Sequence, residues 1–206
     1  LNPDSSLFHL KKAAKITQSR DEKDVIYGRL AELAFDLEQY STALDGYSNV
    51  IAHSFSKEKI ENAHLQMLKI LRKQKKYKLA SRKIKTLLTD DKFKRISGDL
   101  ELELVNLYKA EGEFDEIEMR LESIVNDYQR TKVSAEAYYQ LGEIYISKKW
   151  DLEKAKDYFE KVSKESNKSL FSSSAKSKVS AINTYQKSEQ DIQIINASEI
   201  EQYVTD

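Results

Sequence analysis

The strongest constraint in this sequence is that it repeats itself. Tyr27, His64, Glu101 and Tyr138 follow one another at 37 residues, and an independent set, Ala43, Ala80, Ile117 and Ala155, keeps intervals of 37, 37 and 38. Self-similarity at such a period marks an array of one supersecondary unit, each copy burying its apolar face against its neighbours. Leu30, Met67, Leu104 and Leu141 fill one position of the unit; Ala31, Leu68, Val105 and Gly142 fill the next. Ala34, Leu71, Tyr108 and Tyr145 follow three residues on, a helical spacing. A second helix in each unit carries Tyr47, Ile84, Leu121 and Phe159, then Val50, Leu87, Ile124 and Val162. The expected units are 24–60, 61–97, 98–134 and 135–172, with connections at Ser54–Lys57, Asp90–Phe93 and Gln129–Lys132.

Composition agrees with helices throughout. One Pro and five Gly among 206 residues leave few helix breakers, so the expected class is all-α. Residues 1–23 suit one short amphipathic helix, 173–187 a terminal capping helix with Ala175, Val179, Ile182 and Tyr185 on one stripe, and 188–206 an acidic tail. That tail reads equally as a flexible end, the start of a further unit or an arm that docks back, with Ser198 placed to cap a short helix. The chain starts at Leu1 rather than Met and is expected to be a fragment or a processed product.

The best-formed copy is Ala137 to Val162, AYYQLGEIYISKKWDLEKAKDYFEKV. Gly142 and Ala155 are small residues where two helices come close, each giving a large residue something to pack against. This segment resembles the tetratricopeptide repeat (TPR), with its large residue, Leu-Gly, Tyr, Ala and Phe at set offsets. The resemblance implies an α-solenoid of four antiparallel helix pairs with flanking helices. It departs from the usual pattern at His64, Glu101 and Ile117, and its period exceeds the usual ~34. An aromatic closes each intra-unit turn, at Tyr40, Tyr77, Phe114 and Trp150, where a ring can cover the gap between paired helices or stack on a ligand.

In TPR proteins the first helices line a concave groove for a peptide or partner helix. Carried across, the lining is Gly28, Arg29, Glu32 and Asp36; Leu65, Gln66, Lys69 and Lys73; Leu102, Glu103, Asn106 and Lys109; and Tyr139, Gln140, Glu143 and Ile146. Of these, Arg29, Glu32, Lys69, Lys73, Asn106, Tyr139, Glu143 and Ile146 are the expected partner contacts, Tyr139 and Ile146 as apolar ones. The clamp with which one TPR class grips a carboxylate terminus is absent, since Gly28, Glu32, Gln66, Asp99 and Glu103 occupy its places. The wording of the fourth unit is similar to bacterial cell-envelope TPR proteins, which implies the periplasm or cell envelope as the expected compartment.

Charge is segregated along the chain although the formal net charge is zero. Lys69 to Lys85 holds nine basic residues and no acidic one, whereas Asp99 to Asp127 holds ten acidic residues beside Lys109 and Arg120. These fields can satisfy each other across a junction, meet complementary partners, or join copies of the chain in a self-assembly. A nucleic-acid partner is not expected, because the basic block lacks interleaved aromatics apart from Tyr77 and its acidic neighbour repels phosphate. Without Cys there is no thiolate site; His9, His53 and His64 have no ligand partner at helical spacing, and no phosphate-loop, serine-hydrolase or zinc-protease motif occurs. No catalytic residue, metal, cofactor or small-molecule substrate is expected, and no apolar run reaches the ~20 residues of a membrane span. The expected function is non-enzymatic protein binding.

Overall fold

The computed structural model describes residues 3–114 and 116–205, with side chains for all of these but 196–205. Its elements are α1 (Pro3–Ile16), α2 (Arg20–Asp36), α3 (Tyr40–His53), α4 (Lys57–Lys73), α5 (Tyr77–Leu88), α6 (Ser97–Glu111), α7 (Ile117–Asp127), α8 (Lys132–Ile144), α9 (Leu152–Glu165) and α10 (Ser172–Thr205). A 3₁₀ segment, Asp91–Ile96, leads into α6, and a π turn, Tyr145–Lys149, ends α8. The chain is an all-α helical repeat, without strands among the described residues.

Local chemistry sets the helix boundaries. Ser19, Ser56 and Asp151 cap α2, α4 and α9 by accepting from Glu22, Lys59 and Lys154 N–H groups, and Thr131 and Ser134 cap α8 reciprocally. α3 and α5 have no side-chain cap, because each starts directly after a tight turn.

Those turns carry the period into the backbone. Glu38, Lys75 and Gly112 all have positive φ, at 57°, 57° and 83°. In each, the N–H one residue further on donates to a carbonyl five residues back: Gln39 to Ala34, Lys76 to Leu71 and Glu113 to Tyr108. This is the Schellman helix end, in which a left-handed residue lets the chain turn back on the last helical carbonyls. At the fourth turn Trp150 is the left-handed residue (φ 52°) and Asp151 N–H reaches Tyr145 O, six residues back. The extra residue behind the single interval of 38 is therefore absorbed by the π turn.

This also corrects the reading of the turn aromatics. Tyr40 and Tyr77 open α3 and α5 and are half-buried, whereas Leu152 opens α9. Trp150 sits earlier, at the left-handed position, and is 65% exposed with its ring edge-on to Tyr185.

The helices fall into two compact units, Leu1–Ile117 and Glu118–Asp206. The first holds two apolar clusters, one around Leu30, Ala31, Tyr47, Val50 and Ala63, the other around Leu68, Leu71, Ile84, Leu100 and Leu104. The second buries Leu141, Tyr145, Phe159, Val162, Ala175 and Ile182. Small residues do allow close approach: a Cβ on Gly142 would lie 2.6 Å from the Phe159 ring, and one on Gly46 2.8 Å from Ala31 Cβ. α10 runs unbroken through the boundary expected between 187 and 188, as no Gly or Pro interrupts Ser172–Thr205. The side chain of Ser198 and all of Asp206 lie outside the described residues.

Candidate partner-binding face

The expected contacts of the first unit lie on α2, α4 and α6. Arg29, Glu32, Lys69 and Lys73 are exposed and Asn106 is half-buried. Glu32, Lys69 and Asn106 share one offset of the repeat, so the same helical face presents an acid, a base and an amide in turn. The Asp99 carboxyl is raised by desolvation, an effect that the charge of Lys69 opposes. Lys73 Nζ stands 5.8 Å from the Phe35 ring centroid.

Other lining candidates are taken up by the fold. Glu103 is only 4% exposed and accepts from Arg72 Nε at 2.7 Å, joining α4 to α6. Gln140 is buried as well. In the second unit, Tyr139 packs against Phe159 and Phe171, at 5.4 and 4.9 Å between ring centroids, and desolvation followed by Glu143 raises its phenol. Glu143 pairs with Lys178 of α10 at 3.0 Å, and Ile146 is half-buried in the π turn. Tyr139 and Glu143 thus already meet intramolecular neighbours on the face where a partner was expected.

A cavity of about 220 Å³ opens beside Arg29 and Glu32. α2 contributes Asp24, Val25 and Gly28, α3 contributes Tyr47 and Val50, and α4 contributes Lys59, Asn62 and Ala63. Lys59 donates to Asp24 Oδ2 at 2.6 Å, whereas Asp24 Oδ1 is buried without a hydrogen-bond partner. Burial, then Glu32 and Asp36, push the Tyr47 phenol up to about 12. Both carboxylates act on its hydroxyl in the same sense as burial, which is the larger cause.

Two polar constellations escaped sequence reasoning. Glu61, 1% exposed, accepts from Arg95 Nε at 2.7 Å. Tyr145 hydroxyl donates to Glu118 and accepts from Lys154 Nζ at 2.6 Å, while Lys149 Nζ donates to Glu118 Oε1 at 2.8 Å. Hydrogen bonds from Lys149 and Tyr145 hold the Glu118 carboxyl below its ordinary value. The sequence signal for each was a carboxylate spaced 34 or 31 residues from a base, which becomes informative once helix faces are known. Among the described residues no group of three His, Cys, Asp or Glu could hold a metal ion, and no helix is long and apolar enough to cross a membrane.

The crystal structure of MamA is similar over 81% of this chain and 90% of its own, at 17% identity and a TM-score of 0.53. The fold is TPR-like. A tetratricopeptide repeat protein from Parabacteroides merdae ATCC 43184 also matches, at 15% identity and a TM-score of 0.46 over 87% of this chain and 77% of that one. No protein-family model matches the sequence, and no curated protein does. Likeness at this identity concerns the course of the TPR-like helices, and the chemistry of the face rests on this chain's own side chains.

Proposed function

We propose that the chain is a non-enzymatic protein-interaction scaffold that captures an extended peptide or a partner helix along the first helices of its repeats. The observation that carries this reading is the row Glu32, Lys69 and Asn106, with Arg29 and Lys73 beside it, left exposed or half-exposed where core and ion-pair positions are filled. In a TPR-like array such a face offers fixed, periodic polar contacts to a chain laid across it. Among the described residues no ion pair within 4.0 Å engages Glu32, Lys69 or Lys73, so these charges remain available to orient a partner. Within the second unit, Tyr139, Glu143 and Ile146 are the proposed contacts, open to a partner that displaces their intramolecular neighbours. A larger bacterial envelope assembly is the proposed setting.

Selection of a displayed dodecapeptide library on the native protein tests the reading. Selected peptides should bind Lys69→Glu/Lys73→Glu at least about tenfold more weakly, as expected for loss of two orienting charges. Equal binding to that variant would remove the face from consideration. The alternative of self-assembly through the oppositely charged second and third repeats draws on the same charges, and the Arg72–Glu103 pair already spends part of them inside one molecule. It requires association at low salt that sedimentation would detect.

A further inference from the structure

The cavity at Gly28 is a place where the repeat leaves out one of its own side chains. The same offset holds Leu65, Leu102 and Tyr139 in the other units. Leu65 packs on the second apolar cluster, Leu102 is 5% exposed, and Tyr139 lies between Phe159 and Phe171. Only Gly28 contributes nothing, and a Cβ built on it would meet no atom nearer than Val50 Cγ2 at 4.0 Å. Close approach of α2 and α3 does not require this glycine, in contrast to Gly46. What the glycine leaves is the 220 Å³ space walled by Val25, Tyr47, Val50 and Ala63.

We infer that this space receives a leucine- or phenylalanine-sized side chain of a partner peptide that carries basic residues beside it. The apolar part of the requirement follows from the molecule itself, which fills the equivalent positions with two leucines and a tyrosine. The basic part follows from charge. With Asp24 paired to Lys59 and Glu32 set against Arg29 on the lining, the excess charge beside the cavity is that of Asp36, exposed one helical turn beyond Glu32 on α2. Asp24 Oδ1 adds an acceptor that an N–H donor can satisfy. A cavity of this volume accepts an aliphatic or phenyl group without rearrangement of its walls. The inference rests on the proposed peptide-binding function and names the chemistry of its first subsite.

The test uses terminally blocked synthetic peptides of one length with a central leucine and lysine, alanine or glutamate flanks, read by fluorescence anisotropy and by the Gly28 amide resonance. The lysine-flanked peptide should bind best and shift that resonance. Gly28→Leu should plug the space and weaken this peptide at least about tenfold, in keeping with the burial of one leucine side chain. Its melting temperature should hold or rise, because a helix-interior glycine is replaced. Gly28→Ala should fall between the two.

Should Gly28→Leu misfold, Glu32→Lys/Asp36→Lys still decides: both positions are exposed, and the preference should move to glutamate flanks. Unaltered binding by folded Gly28→Leu, indifference to flank charge, or no peptide binding would each overturn the inference, as would a dimer that Gly28→Leu dissociates. Loss of binding in Lys69→Glu/Lys73→Glu with none in Gly28→Leu would overturn the subsite and keep the wider face.

Discussion

At the residue scale, the glycines show what sequence can and cannot announce. Gly142 was legible because it stands at the Leu-Gly position, and its space is indeed taken by the Phe159 ring. Gly46 lies at no such position, yet a Cβ there would meet Ala31 Cβ at 2.8 Å and Ala31 Cα at 3.1 Å. Backbone on the facing helix cannot swing aside as a ring end can. Gly46→Ala should therefore cost about 1–3 kcal/mol in urea unfolding despite its better helix propensity; a variant as stable as the native chain would mean that α2 and α3 can part without loss. His64, without a ligand partner at helical spacing, sits half-buried with its ring edge-on to Phe93. Burial, then Lys83, lowers its pKa, so the fold prefers the neutral ring. Stability from this site is complete above the unfolded value near 6.5 and is lost as pH falls through the lower folded value. The stability difference between native protein and His64→Leu should be flat at neutral pH and shift in favour of the variant below about 6.5; parallel curves down to the acid limb would refute it. Tyr139 was legible as a groove-lining apolar residue, and its intramolecular ring neighbours were not. Its contact with Phe171 comes from the connection after α9, past Val162, the last position matched between the units.

At the element scale, the period was legible and its mechanics were not. Four turns share a left-handed residue, but only one of the four is the glycine that such a φ favours, so composition gave no sign of Glu38, Lys75 or Trp150. The interval of 38 was visible as a number, and its cause, a π turn between Tyr145 and Asp151, is a hydrogen-bonding choice that sequence spacing does not specify. Charge segregation was visible too, but a charge census cannot say that Glu103, among ten acidic residues of its stretch, is the one buried against Arg72. That placement has a measurable consequence. Arg72→Ala should strand the Glu103 carboxylate between α4 and α6 and cost about 1–3 kcal/mol, a buried-pair figure discounted because Arg72 stays partly exposed. Adding Glu103→Leu should recover most of the loss, whereas exposed Arg29→Ala should change stability by no more than ~0.5 kcal/mol. No recovery in the double variant would show that Arg72 acts through packing of its stem and not through the pair.

At the scale of the whole molecule, each compact unit owns its apolar core, the first around α2–α6 and the second around α8–α10. In repeat proteins stability is a sum of local terms and neighbour terms, so damage in one unit need not be felt throughout. The chain supplies its own reporter of this. Its single tryptophan, Trp150, is in the second unit, where its ring meets Tyr185 of α10, while far-UV ellipticity reads the helices of both units. Gly46 and Arg72 belong to the first unit. If the units unfold separately, Gly46→Ala and Arg72→Ala should split the ellipticity transition into two steps and leave the Trp150 fluorescence transition at its native urea concentration. If instead both probes move together in both variants, the two cores are one cooperative system and the division into units describes packing density alone.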